Sequence, residues 1–175
     1  MKAGKGPLHS SGQQDYQTPQ ALNRKILRLM GIPEFTLDPC TVQENPVGAR
    51  HIYTVKENGL VQSWKVSGES LVYVHFNPPY VDNAKWIEKA YRESRDPSVV
   101  VIGILPVRAS PWFHDYILRD LRFSASVKEL SRWTLLEPGE TAIFYHYGRI
   151  KFIDPETQAA TRNQAPFDTM IVVWR

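Results

Sequence analysis

A run of β-branched and aromatic residues, Leu71-Val72-Tyr73-Val74-His75-Phe76, passes directly into Asn77-Pro78-Pro79-Tyr80. The run reads as a buried strand. Two consecutive prolines cannot continue a central strand, so the strand ends there. Residues 85–94 follow with Trp86, Ile87, Ala90 and Tyr91 on one helical face. Residues 99–105 are almost continuously apolar, the mark of a parallel strand covered on both faces. Strand, helix and buried strand in that order point to an α/β sheet. Open sheets of this class bind ligands outside the carboxyl ends of their strands, and that is where Asn77 to Tyr80 fall.

The remaining elements fit the same plan. Residues 1–14 hold glycine, serine and lysine with little to bury and read as a flexible tail. Residues 15–175 read as one domain. Thr18 is a candidate helix cap with Pro19 at the first helical position. Leu22, Ile26, Leu29 and Met30 recur at helical spacing until Gly31 and Pro33 stop the helix. Phe35-Thr36-Leu37 is a short strand ending in Asp38-Pro39-Cys40, and residues 41–50 form a loop. Glu57-Asn58-Gly59-Leu60 reads as a turn, and residues 111–121 as another helix. The last third is strands alone, at 141–147, 150–153 and 170–174, with turns at Gly148-Arg149 and Asp154-Pro155. The sheet is therefore expected to finish in a C-terminal antiparallel hairpin.

Composition narrows the function classes. The single cysteine, Cys40, can form no internal disulfide and no cysteine-rich zinc site. A reducing cytoplasm is the natural compartment. No apolar run approaches the roughly 20 residues of a membrane span, and the amino terminus has no hydrophobic signal region. His9, His51, His75, His114 and His146 are scattered, so no metal site is expected. A net charge of +3 and a pI near 9.0 permit a polyanionic partner without requiring one.

Asn77 to Tyr80 suit a planar amino group on an aromatic ring. The Asn77 side-chain oxygen accepts one N–H, and the Pro78 carbonyl accepts the other, since proline keeps its C=O. Two fixed acceptors draw the hydrogens out of the ring plane, so the nitrogen lone pair is less delocalised and more nucleophilic. Tyr80 can stack on the ring. Asp38 at a strand end has two readings, a contact to the ribose or polar head of a nucleotide-like cofactor, or an Asx-Pro turn. No glycine follows it in Cys40-Thr41-Val42-Gln43, which excludes a dinucleotide pyrophosphate site. Arg108, beyond the buried strand, either holds a nucleic-acid phosphate or covers a helix end.

Taken together, these segments resemble the compact phage and prophage DNA N6-adenine methyltransferases, the Dam-like family. They are Asp15-Tyr16-Gln17-Thr18-Pro19, Phe35-Thr36-Leu37-Asp38-Pro39-Cys40, Asn58-Gly59-Leu60 with Trp64, Phe76-Asn77-Pro78-Pro79-Tyr80 and Trp86-Ile87-Glu88-Lys89-Ala90. Leu105-Pro106-Val107-Arg108, Trp112-Phe113-His114, Gly148-Arg149-Ile150-Lys151-Phe152 and Ala165-Pro166-Phe167 complete the series. Asn-Pro-Pro-Tyr alone is shared by many amino-methyltransferases, whereas the full series is much more specific.

The resemblance implies a class I methyltransferase fold, a Rossmann-like sheet, with S-adenosylmethionine as methyl donor and double-stranded DNA as substrate. It implies a catalytic role for Asn77, Pro78, Pro79 and Tyr80. It sets Thr18, Pro19, Asp38, Cys40, Asn58 and Leu60 around the cofactor, and Arg108 and Arg149 on DNA. No metal and no membrane are implied; the setting is phage DNA methylation or restriction-modification in a bacterial host cytoplasm. The chain departs from the pattern at Asn58, where an acidic residue often precedes Gly-Leu; Glu57 stands one position earlier, and either is the candidate for the ribose.

Adenine in RNA, N4 of cytosine and a protein glutamine amide are alternative targets for the same chemistry. A binding module without turnover and a metal-dependent nuclease are the readings from other classes. Base reading is assigned to loops at residues 41–55 and 122–138, with a short or relaxed recognition sequence expected.

Overall fold

The computed structural model describes residues 17–154, 157–161, 165 and 167–175. The expected tail at residues 1–14, together with Asp15, Tyr16 and Pro166, lies outside the described residues.

Helix α1 (Gln20–Met30) begins after Pro19, whose carbonyl takes the first N–H groups, and ends on Gly31 in the left-handed conformation at φ 68°. The expected Thr18 cap is not formed: Pro19 itself occupies the capping position, and no side chain caps the helix. Strands β1 (Leu37–Asp38), β2 (His51–Ile52), β3 (Val72–Phe76) and β4 (Val99–Pro106) are parallel, and α2 (Asn83–Glu93) connects the last two. Pro111–Phe113 forms a short α3 that continues as a π-helical turn, His114–Leu118. Strand β5 (Leu121–Ser126) then leads into a 3₁₀ segment, Val127–Leu135, and β6 (Thr141–Tyr145) and β7 (Thr169–Trp174) complete the sheet.

Among the described residues the sheet has seven strands in the order β2-β1-β3-β4-β7-β6-β5. Strand β7 inserts antiparallel between β4 and β6. The antiparallel end of the sheet is thus made by β6 and β7 rather than by strands flanking Gly148-Arg149. Residues 150–152 form no strand, and Ile153 makes only isolated bridges to Gln17 and Ala160. The reason is competition. The six-residue apolar β7 buries every side chain between two strands, a place that the mixed sequence Ile150-Lys151-Phe152 cannot fill.

All eight residues of β4 are buried. Its side chains alternate between two cores. Val100, Ile102 and Ile104 join Leu22, Ile26 and Met30 of α1 on one face. Val99, Val101 and Leu105 join Trp86, Ile87 and Ala90 of α2 on the other. Gly103 carries no side chain because a Cβ there would lie 2.8 Å from the Trp174 ring. Each fully buried aliphatic side chain contributes roughly 1.5–3 kcal/mol. Ion pairs such as Lys85–Asp82 are largely exposed and worth about 0–1 kcal/mol, so packing dominates.

Residues 122–138 are not a loop. Ser126 and Glu129 form a reciprocal capping box, and Val127, Leu130 and Trp133 are buried. The Trp133 indole N–H donates to the Met30 carbonyl at 2.9 Å, joining this segment to the end of α1.

Candidate functional site

Strands β1, β3, β4, β5 and β6 all point the same way, so their carboxyl ends share one edge with the amino end of β7. Alternation along β3 sends Val72, Val74 and Phe76 into the α2 core and Tyr73 toward the α1 core. His75 follows Tyr73. Leu37 of β1 pairs with Val74, so Asp38, one position on, stands level with His75. The two side chains meet: His75 Nδ1 lies 3.2 Å from Asp38 Oδ2, with both residues buried. The Cys40 backbone N–H donates to Asp38 Oδ1 at 3.2 Å.

A cavity of about 320 Å³ opens over this pair, at the lower end of the range for small-molecule sites. Of the expected site residues, Thr18, Asp38, Cys40, Asn58, Asn77 and Pro79 line it. Val42, Pro46, Val47, Val55 and Trp86 give it an apolar wall, and Asp38 is the one carboxylate among the described lining residues. A buried acid facing an apolar slot suits a ligand with a flat ring and a hydroxyl or ammonium group.

Thr18 reaches the site for a reason that local sequence does not reveal. The Asn77 side-chain Nδ2 donates to Thr18 Oγ1 at 3.2 Å, across 59 residues. Holding the amide by its nitrogen fixes which edge carries the acceptor oxygen.

The turn at Asn58 packs on the Asp38 turn. Asn58 takes a left-handed conformation at φ 58°, with its side-chain oxygen accepting the Leu60 N–H. A Cβ on Gly59 would fall 2.0 Å from the Pro39 carbonyl oxygen. The buried Trp64 indole N–H donates to the Gly59 carbonyl at 2.9 Å and clamps the turn from below. Asn58 lines the cavity and Glu57 does not. The Glu57 carboxylate accepts the Thr54 hydroxyl and backbone N–H, which hold its pKa below the ordinary glutamate value.

Gly59→Ala is therefore expected to force the two turns apart, since a backbone carbonyl cannot swing aside. Overpacking of this kind costs about 1–3 kcal/mol, or roughly 3–9 °C in melting temperature for a chain of this size. A thermal melt equal to wild type would contradict this packing account.

Pro19, Leu60, Pro78, Tyr80, Arg108 and Arg149 stand outside the cavity wall. Pro19 opens α1, and Pro78 is buried beneath the turn. Tyr80 meets the Phe167 ring edge-on at 5.4 Å, and the Arg108 guanidinium lies 5.6 Å from the same ring. The Val107 N–H to Asp168 carbonyl bond, at 2.9 Å, holds that segment at the carboxyl edge of the sheet. Arg149 is exposed beyond β6. Lys128 lies 5.8 Å from the exposed Tyr147 ring.

His75, Gly59 and Trp86 also line the cavity, a place that no local motif in the sequence assigns to them. For His75 a positional signal exists: it precedes Asn77 by two residues on a strand and so faces the same way. Among the described residues no three His, Cys, Asp or Glu side chains are grouped to hold a metal ion. No helix among them is long and apolar enough to cross a membrane.

The family described as DNA N-6-adenine-methyltransferase (Dam) matches this chain over residues 7–175. No curated protein and no solved structure matches it.

Proposed function

The chain belongs to the Dam family of DNA N-6-adenine-methyltransferases, and from that premise we propose that it carries the methyl group of S-adenosylmethionine to N6 of adenine in double-stranded DNA. The observation that carries this reading is the Asn77 amide at the carboxyl end of β3, fixed by Thr18 beside a cavity with one buried carboxylate. The four parallel strands β2-β1-β3-β4 and the inserted antiparallel β7 support a class I, Rossmann-like assignment.

The donor fits the residues present. Asp38 suits its hydroxyl or ammonium groups, and the wall of Val42, Val47 and Trp86 suits its adenine ring. When bound, S-adenosylmethionine supplies a methyl group on a positively charged sulfur, which an amine can attack. The chain's own residues prepare that amine. Asn77 Oδ1 and the Pro78 carbonyl accept its two hydrogens, and Tyr80 offers a ring for the base. Much of the rate then comes from positioning. One amine proton must leave afterwards and passes to solvent.

The base has to leave the duplex to reach Asn77, which costs a few kcal/mol. Stacking on Tyr80 returns roughly 1–3 kcal/mol. Arg108 and Arg149, both exposed at the carboxyl edge, are the proposed phosphate contacts. Residues 122–138 are committed to a strand and a packed segment, and residues 41–55 include strand β2 and much of the cavity wall, so little chain is left for base reading and a short or relaxed recognition sequence is expected. The compact series of motifs supports a phage or prophage source and a bacterial cytoplasmic setting.

The test offers equal masses of duplex DNA, RNA and bulk protein together with labelled donor. Label is expected in the DNA, and label confined to RNA or protein would overturn the reading. DNA affinity should fall steeply with salt, because neutralised phosphates release counterions. Arg108→Ala and Arg149→Ala each remove one phosphate-binding charge, and each should reduce the slope of log affinity against log salt by about 0.9.

A further inference from the structure

The buried histidine beside the acid is absorbed by none of the roles above. The Asp38 carboxylate divides its two oxygens between the Cys40 N–H and His75 Nδ1, each at 3.2 Å. The His75 side chain is 2% exposed. Its second nitrogen, Nε2, is buried with no hydrogen-bond partner among the described residues. The Phe35 ring packs against the imidazole at 5.0 Å with an interplanar angle of 69°.

This arrangement selects one tautomer. An ionised carboxylate can only accept, so Nδ1 carries the hydrogen and donates it to Oδ2. Nε2 is then the bare nitrogen, and no group among the described residues donates to it. Among the described residues the imidazole, which also lines the cavity, has one hydrogen-bond partner, the Asp38 carboxylate. Backbone pairing makes the contact obligatory, because the β1–β3 register sets Asp38 level with His75. The Cys40 N–H alone would leave the carboxylate free to rotate about that single bond. A second donor from the neighbouring strand fixes its plane.

We propose that His75 is a positioning residue for the methyl donor: its Nδ1–H locks the Asp38 carboxylate in the orientation that the cofactor meets. This inference rests on the reading of the cavity as the S-adenosylmethionine site. His75 acts on the binding of the cofactor through Asp38, and the target base is left to Asn77, two residues further along β3. The consequence is a separation of effects between two neighbours on one strand. Loss of the Nδ1 donor weakens cofactor binding, and turnover at saturation persists.

Three substitutions separate the donor from the bulk. His75→Leu keeps an apolar filler and removes the donor. In His75→Asn the amide nitrogen stands close to where Nδ1 stood. In His75→Gln it stands close to the place of Nε2. Affinity for S-adenosylhomocysteine, the demethylated product, is measured by calorimetry, together with KM for the donor and kcat on duplex DNA. His75→Leu is expected to weaken product binding and raise KM about tenfold or more, the scale of one hydrogen bond to a charged group. Its kcat at saturation should stay within about threefold of wild type. His75→Asn should restore affinity to within about threefold, and His75→Gln should resemble the leucine variant.

Equal weakening in the asparagine and leucine variants would make His75 a packing residue and overturn the proposal. So would wild-type affinity in the leucine variant, or a loss confined to kcat. If the leucine variant does not fold, the asparagine–glutamine contrast decides, and equal affinities there would likewise overturn it. Wild-type protein that binds neither S-adenosylmethionine nor its product would instead defeat the reading of the cavity itself.

Discussion

Replacing Asn77 with alanine is expected to lower kcat for methyl transfer by about 10²–10³-fold, the usual cost of removing one fixed hydrogen-bonding group at a reacting centre. Cofactor affinity should stay within a few-fold of wild type, because Asp38 lies on a different strand and keeps both of its partners. The fold should also survive, since Asn77 is half-buried at the strand end and stands outside both cores. Thr18→Val supplies a graded comparison. It removes the acceptor for Asn77 Nδ2 and leaves the amide in place, so its activity should fall between the two. A single-turnover assay with saturating donor reads this directly, and an alanine variant with full activity would remove Asn77 from the chemistry.

Replacing Asp38 should give the opposite pattern. A hydrogen bond to a charged group is worth about 1.5–3 kcal/mol, so Asp38→Ala is expected to weaken donor binding roughly 10–150-fold. The alanine also removes the carboxylate on which His75 Nδ1 and the Cys40 N–H both end. Asp38→Asn is informative because it nearly preserves volume. Its single amide oxygen can accept from the Cys40 N–H, but its NH₂ then meets His75 well only if the imidazole moves its hydrogen to Nε2, which has no acceptor among the described residues. Its affinity should therefore also drop at least tenfold. Calorimetry with S-adenosylhomocysteine checks both variants, and unchanged affinity in either would move the cofactor away from this carboxylate.

What the sequence makes legible depends on how local each feature is. The strand before Asn77 is legible because its β-branched run and the two prolines lie within ten residues. The buried β4 is legible for the same reason. Thr18 resembles a helix cap because its neighbours Pro19 and Gln20 suggest one; its actual partner is Asn77, 59 positions away. His75 looks like an isolated histidine until strand pairing sets it beside Asp38, 37 residues earlier in the chain. Gly59 looks like an ordinary turn glycine until the approach of Pro39 explains it. Residues 122–138 are a different case, since a local signal is present. Ser126 with Glu129 three positions later is a capping box, and Val127, Leu130 and Trp133 follow at spacings of three.

Chemistry and target are tested together by incubating duplex DNA with labelled S-adenosylmethionine and the wild-type or Asn77→Ala protein, then digesting the DNA to nucleosides and separating them. Wild type should place label in N6-methyldeoxyadenosine, and the alanine variant should give at least 100-fold less. Label in a cytosine nucleoside, or equal label from both proteins, would contradict it.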